Sequence, residues 1–302
     1  MVNMLLNQVR RGVIKKPYLI LLYGVDGVGK TQFAATAPRP IFLERENGSN
    51  KYNIDRLPAI ASWQEAMNCI DALIIEKHDY KTFVIDSLDW LEPLLFKKIC
   101  DESNTSSIER AMGGYNKGYK RAKEMWQVLI EKMNLLRDER QMNIILICHA
   151  DVVDFSDPQI QETYHRYQLK IQKESAPIFR EWVDALMFAN YETLAKEKEG
   201  KLKTFADGSR YLYTQRQPGY DAKNRLDLPF QIPLHWGEFV KAAESGKPEA
   251  IETTQKRIEN LIEQVTNREL REKAIESLER NRNDINYLLS IEKRLNQLLE
   301  GE

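Results

Sequence analysis

The chain has 302 residues, 42% of them apolar and 29% charged, with a formal net charge of −1. These values fit one large domain, or one with a smaller appendage, with a sizeable core and a charged surface. They exclude a wholesale basic protein, so contact with nucleic acid must come from local patches.

The opening MVNMLLNQVRRGVIKKP has its basic residues after the apolar ones, the wrong order for a secretory signal. Residues 18–23, YLILLY, form the longest apolar run. It has the length of a buried parallel strand and is too short to span a membrane, so no membrane partner is expected. The run leads into Gly24-Val25-Asp26-Gly27-Val28-Gly29-Lys30-Thr31, which matches G-x-x-x-x-G-K-[ST] at every fixed position. Residues 31–37 then read as a helix stopped by Pro38 and Pro40. Strand, loop and helix together predict a nucleoside triphosphate site, with ATP and Mg²⁺ as cofactors. Backbone N–H groups from Gly24 to Gln32 curl around the phosphates, Lys30 reaches the β and γ groups, and Thr31 Oγ1 ligates the metal.

Residues 40–48 read as a short strand ending in Glu44, Glu46 and a glycine turn. Residues 63–76 fit a crossover helix. Residues 81–87, KTFVIDS, form a second buried strand whose Asp86 stands where the Mg²⁺ shell needs a carboxylate. Ser87 follows instead of a glutamate, so a catalytic base must lie elsewhere or be absent. A helix over 88–101, a glycine-rich segment over 106–121, a long amphipathic helix over 119–140 and an apolar strand over 143–149 ending in His149 come next. Residues 176–191 read as a helix and then a strand over 185–189. Gly200 and Gly208 punctuate two hairpin-like segments, and the sheet is complete by residues 228–233. Cys69, Cys100 and Cys148, far apart in the chain, fit reduced thiols of a cytoplasmic protein.

Residues 243–249 make a linker by composition, and residues 251–302 are highly charged with apolar stripes at helical spacing. One stripe is Ile258, Leu261, Ile262 and Val265; the other is Ile285, Leu288, Leu289, Ile291 and Leu295. The division expected is therefore a core over 1–245 and a helical appendage over 246–302. That appendage either caps its own core or meets a second copy, a single-strand-binding protein or another replication protein.

The phosphate loop, the Ile-Asp-Ser strand end, His149 and Asp221-Ala222-Lys223-Asn224-Arg225-Leu226 together resemble the phage-type RecA-like nucleotide-binding ATPases, a group that includes single-strand-annealing recombinases. The resemblance spans residues 16–240. It implies an α/β fold: a RecA-like P-loop core with a mainly parallel sheet flanked by helices, plus a small C-terminal helical appendage. It makes Glu46 the base that orients water, with Glu44 as the alternative, and His149 the sensor of the γ-phosphate. Lys223 and Arg225 resemble the hairpin pair that ring helicases present to a neighbour's nucleotide, which implies a homo-oligomer, ring or filament. Solvated acids, a strand-capping histidine and a solvent-facing basic hairpin are the plainer readings of the same residues.

By the same resemblance, single-stranded DNA lies on two segments. Tyr115, Lys117, Tyr119, Lys120 and Arg121 belong to the first, and His165, Arg166 and Lys170 to the second. Aromatic faces interleaved with cations suit a strand held without sequence readout, although either segment also reads as ordinary surface. The resemblance favours a DNA-dependent ATPase in recombination or annealing, in the cytoplasm of a host cell if phage-encoded. A hexameric helicase or helicase-loading motor and a nucleotide-gated interaction module with slow hydrolysis are the alternatives.

Overall fold

A computed structural model describes residues 9, 14–45, 49–156, 162–198, 201–245, 251–282 and 285–299. The chain divides into two units, residues 1–225 with 231–240, and residues 226–230 with 241–302.

The first unit is built on strands whose sequences are buried on both faces. β1 (Leu19–Gly24) is fully buried, as a central parallel strand must be. Beside it lie β5 (Asn143–Ser156), β4 (Thr82–Asp86), β2 (Pro40–Glu44) and the short β3 (Asp55–Arg56), all parallel to one another. On its other side β7 (Ala185–Lys198) is also parallel; β8 (Lys201–Tyr213) runs antiparallel to it, and the edge strand β10 (Gln231–Pro233) antiparallel to β8. The order is β10-β8-β7-β1-β5-β4-β2-β3. The remaining strands, β6 (Thr163–Leu169) and β9 (Lys223–Asn224), pair with β5 and β7. The parallel strands put their C-terminal ends on one edge, where Gly24 is in register with His149, and Glu44 with Asp86, which aligns with Ile147.

Helices cover the sheet. α1 (Lys30–Ala35) follows β1; α2 (Trp63–Ile75), α3 (Leu88–Glu102), α4 (Lys117–Asp138) and α5 (Ala176–Trp182) come in the crossovers. Ser62 caps α2 by accepting from the N–H of Glu65. Trp63, Trp126 and Phe179 stack edge to face in the core, and Trp236 and Phe239, at the start of α6 (Trp236–Ser245), do the same against Phe33.

Three expected elements take a different form. β5 does not stop at His149: residues 150–156 continue as a hairpin with β6, so the second segment expected as a DNA loop is mostly strand. Gly208 is no hairpin turn. β7 and β8 form one long hairpin, and Gly208, at φ 86, sits in β8 where the register shifts near Tyr191 and Thr193, as a bulge allows. The helix expected from residue 119 begins at Lys117, so Lys117, Tyr119, Lys120 and Arg121 occupy its first turns rather than a mobile loop. Gly118 is there for close packing: a Cβ on it would meet the Ile108 carbonyl oxygen at 2.1 Å. Gly118→Ala should therefore destabilise the fold by roughly 1–3 kcal/mol through overpacking, read as a lower thermal unfolding midpoint.

In the second unit, α7 (Ile251–Gln264), α8 (Arg268–Arg280) and α9 (Ile285–Leu299) enclose a separate core of Ile258, Ile262, Val265, Leu278, Leu288, Ile291 and Leu295. Both apolar stripes read from the sequence contribute to it. Arg257 grips Glu292 through two nitrogens at 2.7 and 3.0 Å. No helix of the described residues is long and apolar enough to cross a membrane.

Candidate functional site: a phosphate loop with a clamped histidine

Between Gly24, the last residue of β1, and α1 the chain turns through residues 25–29, and Gly27 (φ 72) and Gly29 (φ 111) take left-handed conformations that only glycine adopts without strain. Gly29 caps α1 with no side chain, so the first N–H groups of the helix are left for another acceptor. Lys30 is only 5% exposed, and its Nζ donates to the carbonyls of Gly24 (2.9 Å) and Val25 (3.0 Å). Burial holds the amine below its usual pKa, and the nearby carboxylates of Asp26 and Asp86 only partly oppose that.

Next to Lys30, Thr31 Oγ1 donates to Asp86 Oδ2 at 2.8 Å. Burial raises the Asp86 pKa and the bond from Thr31 lowers it, with a net rise. The Asp86–Ser87 peptide bond is cis. Glu44, in register with Asp86, accepts from Arg56 Nε at 3.0 Å, and Glu46 lies outside the described residues.

His149 is in register with Gly24, at the mouth of the loop. Asp89, in the first turn of α3, clamps it twice, accepting from the His149 backbone N–H (3.0 Å) and pairing with Nδ1 (2.8 Å). The ring's other nitrogen, Nε2, lies 3.7 Å from Asp26 in the loop. The bond to Asp89 raises the His149 pKa above its ordinary 6.5. Burial pushes Asp89 up, but the bonds from His149 outweigh it and hold the carboxyl at about 2, below 3.8.

The signs define a pH window. His149, raised in the fold, contributes fully below 6.5 and loses that contribution as pH climbs through its folded value. Asp89, depressed, contributes above 3.8 and loses it as pH falls towards about 2. The pair is at full strength between those limits. Asp89→Asn should therefore lower the unfolding midpoint more at pH 5 than at pH 8.

Like Asp89, two further residues at this site escape motif reading. Arg210 of β8 directs Nη1 at the Val28 carbonyl (3.2 Å) and Gln32 Oε1 (3.4 Å), and its strand partner Tyr191 donates its hydroxyl to the Gly27 carbonyl (3.2 Å). They brace the β7 side of the loop, opposite His149. Their only signal is that β7 lies next to β1 and β8 next to β7, which no local pattern announces.

Other expected residues lie elsewhere. Lys223 Nζ donates to the carbonyls of Arg180, Glu181 and Val183 at 2.7–2.9 Å, closing the end of α5. The Arg225 N–H bonds to Asp184. Both stand at the N-terminal ends of β1 and β7, three to five residues or roughly 10–17 Å along the strands from Gly24, so neither serves its own chain's loop. Arg166 stands apart from the rest of its segment. Expected at a strand of DNA, it is 4% exposed and lies over the Phe155 ring at 4.6 Å. His165 pairs with Asp154, and Lys170 is exposed. In the first segment Tyr115, Lys117 and Lys120 are exposed; Arg121 pairs with Glu124, and Tyr119 bonds Glu109 and packs on Phe96.

The donor set suits a triphosphate with its metal. A buried ammonium faces backbone carbonyls beside unclaimed helix N–H groups, and a hydroxyl–carboxylate pair lies next to it. Among the described residues no group of three or more His, Cys, Asp or Glu forms a metal site.

Such a strand, loop and clamp define a P-loop nucleotide-binding protein. The AAA_24 family, an AAA domain, matches residues 16–226, and the chain belongs to this family of P-loop ATPases, which use nucleotide and Mg²⁺. The match supports the P-loop ATPase class and does not single out the recombinase group. The chain is also similar to the SPbeta prophage-derived uncharacterized protein YorG of Bacillus subtilis (strain 168), with 22% identity over 136 residues. Those residues are 44% of this chain and 41% of that relative, so the likeness spans less than half of either.

Proposed function

We propose that the chain is a magnesium-dependent ATPase that acts on single-stranded DNA in recombination or annealing. The observation that carries this reading is the double clamp of His149 by Asp89. It ties the mouth of the phosphate loop to α3 and to the β5–β6 hairpin, which begins one residue beyond His149. On α3, Asp89, Glu92 and Phe96 follow at helical spacing, and they meet His149, the Gln172 N–H and Tyr119 in turn. A change at His149 on loss of the γ-phosphate therefore has a packed route to the start of α4.

There Tyr115 is 96% exposed and held at φ 54, a conformation that costs a non-glycine residue about 1–2 kcal/mol. With Lys117 and Lys120 exposed beside it, the turn offers a stacking face and two phosphate partners. Bound Mg²⁺ would withdraw charge from the phosphates. Lys30 would neutralise the β and γ groups, Thr31 and Asp86 would hold the metal's shell, and Glu46 would orient the attacking water. Lys223 would fix the turn that presents Arg225 to the triphosphate of the next copy in a ring or filament. The prophage origin of the relative fits a phage-encoded protein in its host's cytoplasm, and the helical unit gives a surface for a replication partner.

The test is ATP turnover with and without a short single-stranded oligonucleotide at low and high salt. The expected result is stimulation of about tenfold that fades as salt rises and is lost in the Lys117→Ala/Lys120→Ala double variant. Equal rates with and without DNA at every salt concentration would refute the DNA dependence.

A further inference from the structure

A second charged site lies under the β5–β6 hairpin, on the face of the sheet to which Tyr23 points. Tyr23 fixes Asp221 from both sides: its hydroxyl donates to the Asp221 carbonyl (2.7 Å) and accepts from the Asp221 N–H (2.9 Å). The Asp221 carboxylate takes Arg180 Nη1 at 2.6 Å and stands 3.5 Å from Arg166 Nη2. Arg216 reaches the same cavity and forms no ion pair among the described residues. Three guanidinium groups therefore face one carboxylate around about 140 Å³ of space.

Arg166 is the informative member. It is 4% exposed, its flat face covers Phe155, and its Nε is buried without a hydrogen-bond partner. A guanidinium N–H left bare in a protein interior is costly, and a chain that keeps one usually has an acceptor to give it. The arginine fork is shaped for the oxygens of phosphate. That space is roomy enough for a tetrahedral oxyanion with a few waters.

We infer that Arg166, Arg180 and Arg216 form a binding site for a single phosphate-type anion, separate from the phosphate loop. The site shares a strand with that loop, since Tyr23 immediately precedes Gly24, and shares the hairpin that begins one residue after His149. Its occupant is either free phosphate or one phosphate of a bound strand; the chemistry is the same.

The experiment titrates inorganic phosphate calorimetrically into full-length Lys30→Ala protein, in which the loop's own lysine is gone. Binding should persist there and weaken at least about tenfold when Arg216→Ala or Arg180→Gln is added. Arg216 is exposed and its removal spares the core. Phosphate binding that vanishes with Lys30→Ala alone, or that neither arginine variant alters, overturns the proposal. Displacement of phosphate by a short single-stranded oligonucleotide would assign the site to a strand's backbone; simultaneous binding of both would assign it to the free ion. If the ATPase reading failed while this site held, wild-type protein would bind phosphate with the same arginine dependence and show no turnover.

Discussion

Replacing Lys30 with methionine should reduce ATP turnover by about a hundredfold or more, the usual scale for removing one group that meets charge developing in the transition state. Lys30 Nζ is buried and holds only the carbonyls of Gly24 and Val25. Its depressed pKa means that the surroundings disfavour its charge unless an anion arrives. A residue kept for folding would not be arranged so. Methionine fills nearly the same volume without a charge, so the unfolding midpoint should stay the same or rise while turnover disappears. Parallel loss of stability and turnover would show the lysine to be structural.

Asp86→Asn should have an effect of at least similar size on turnover and, like Lys30→Met, leave stability equal or higher. Asp86 has a raised pKa. The folded state therefore holds its proton more tightly than the unfolded chain, and stability falls as pH rises from 3.8 through the raised value. Asparagine removes that burden and keeps an oxygen for Thr31 Oγ1, so the variant without ligands should unfold at an equal or higher temperature. It should also lose the extra stabilisation that Mg²⁺ adds to nucleotide, with turnover down by about a hundredfold to a thousandfold. Wild-type turnover in Asp86→Asn would remove Asp86 from the metal shell.

The parts legible in the sequence are those whose causes are local. A run such as LILLYG has one stable use, a central parallel strand, and G-x-x-x-x-G-K-T at its end has one geometry. The helical stripes of the second unit read correctly for the same reason. What stayed hidden depends on partners distant in the chain. Arg210 reaches the loop only because β8 folds back beside β7, 178 residues from Gln32. Arg166 alternates with aromatics as a DNA-facing residue would, but strand pairing with residues 150–156 turns it inward, beneath Phe155. Gly118 resembles a hinge in sequence and is a contact in space, because the Ile108 carbonyl occupies the place of a side chain. Lys223 sits in a motif-like A-K-N-R string, yet α5 ends within its reach and takes all three donors.

The central claim is that Gly24 to Gln32, with Lys30 at its centre and Thr31 and Asp86 beside it, holds a nucleoside triphosphate with its magnesium. Titration calorimetry with a slowly hydrolysed ATP analogue tests it most directly, with and without Mg²⁺, on wild-type and Lys30→Met protein. The account predicts one site per chain, tighter with Mg²⁺ and weakened at least about tenfold by the substitution. Binding of equal strength in both proteins, or none in the wild type, would contradict it.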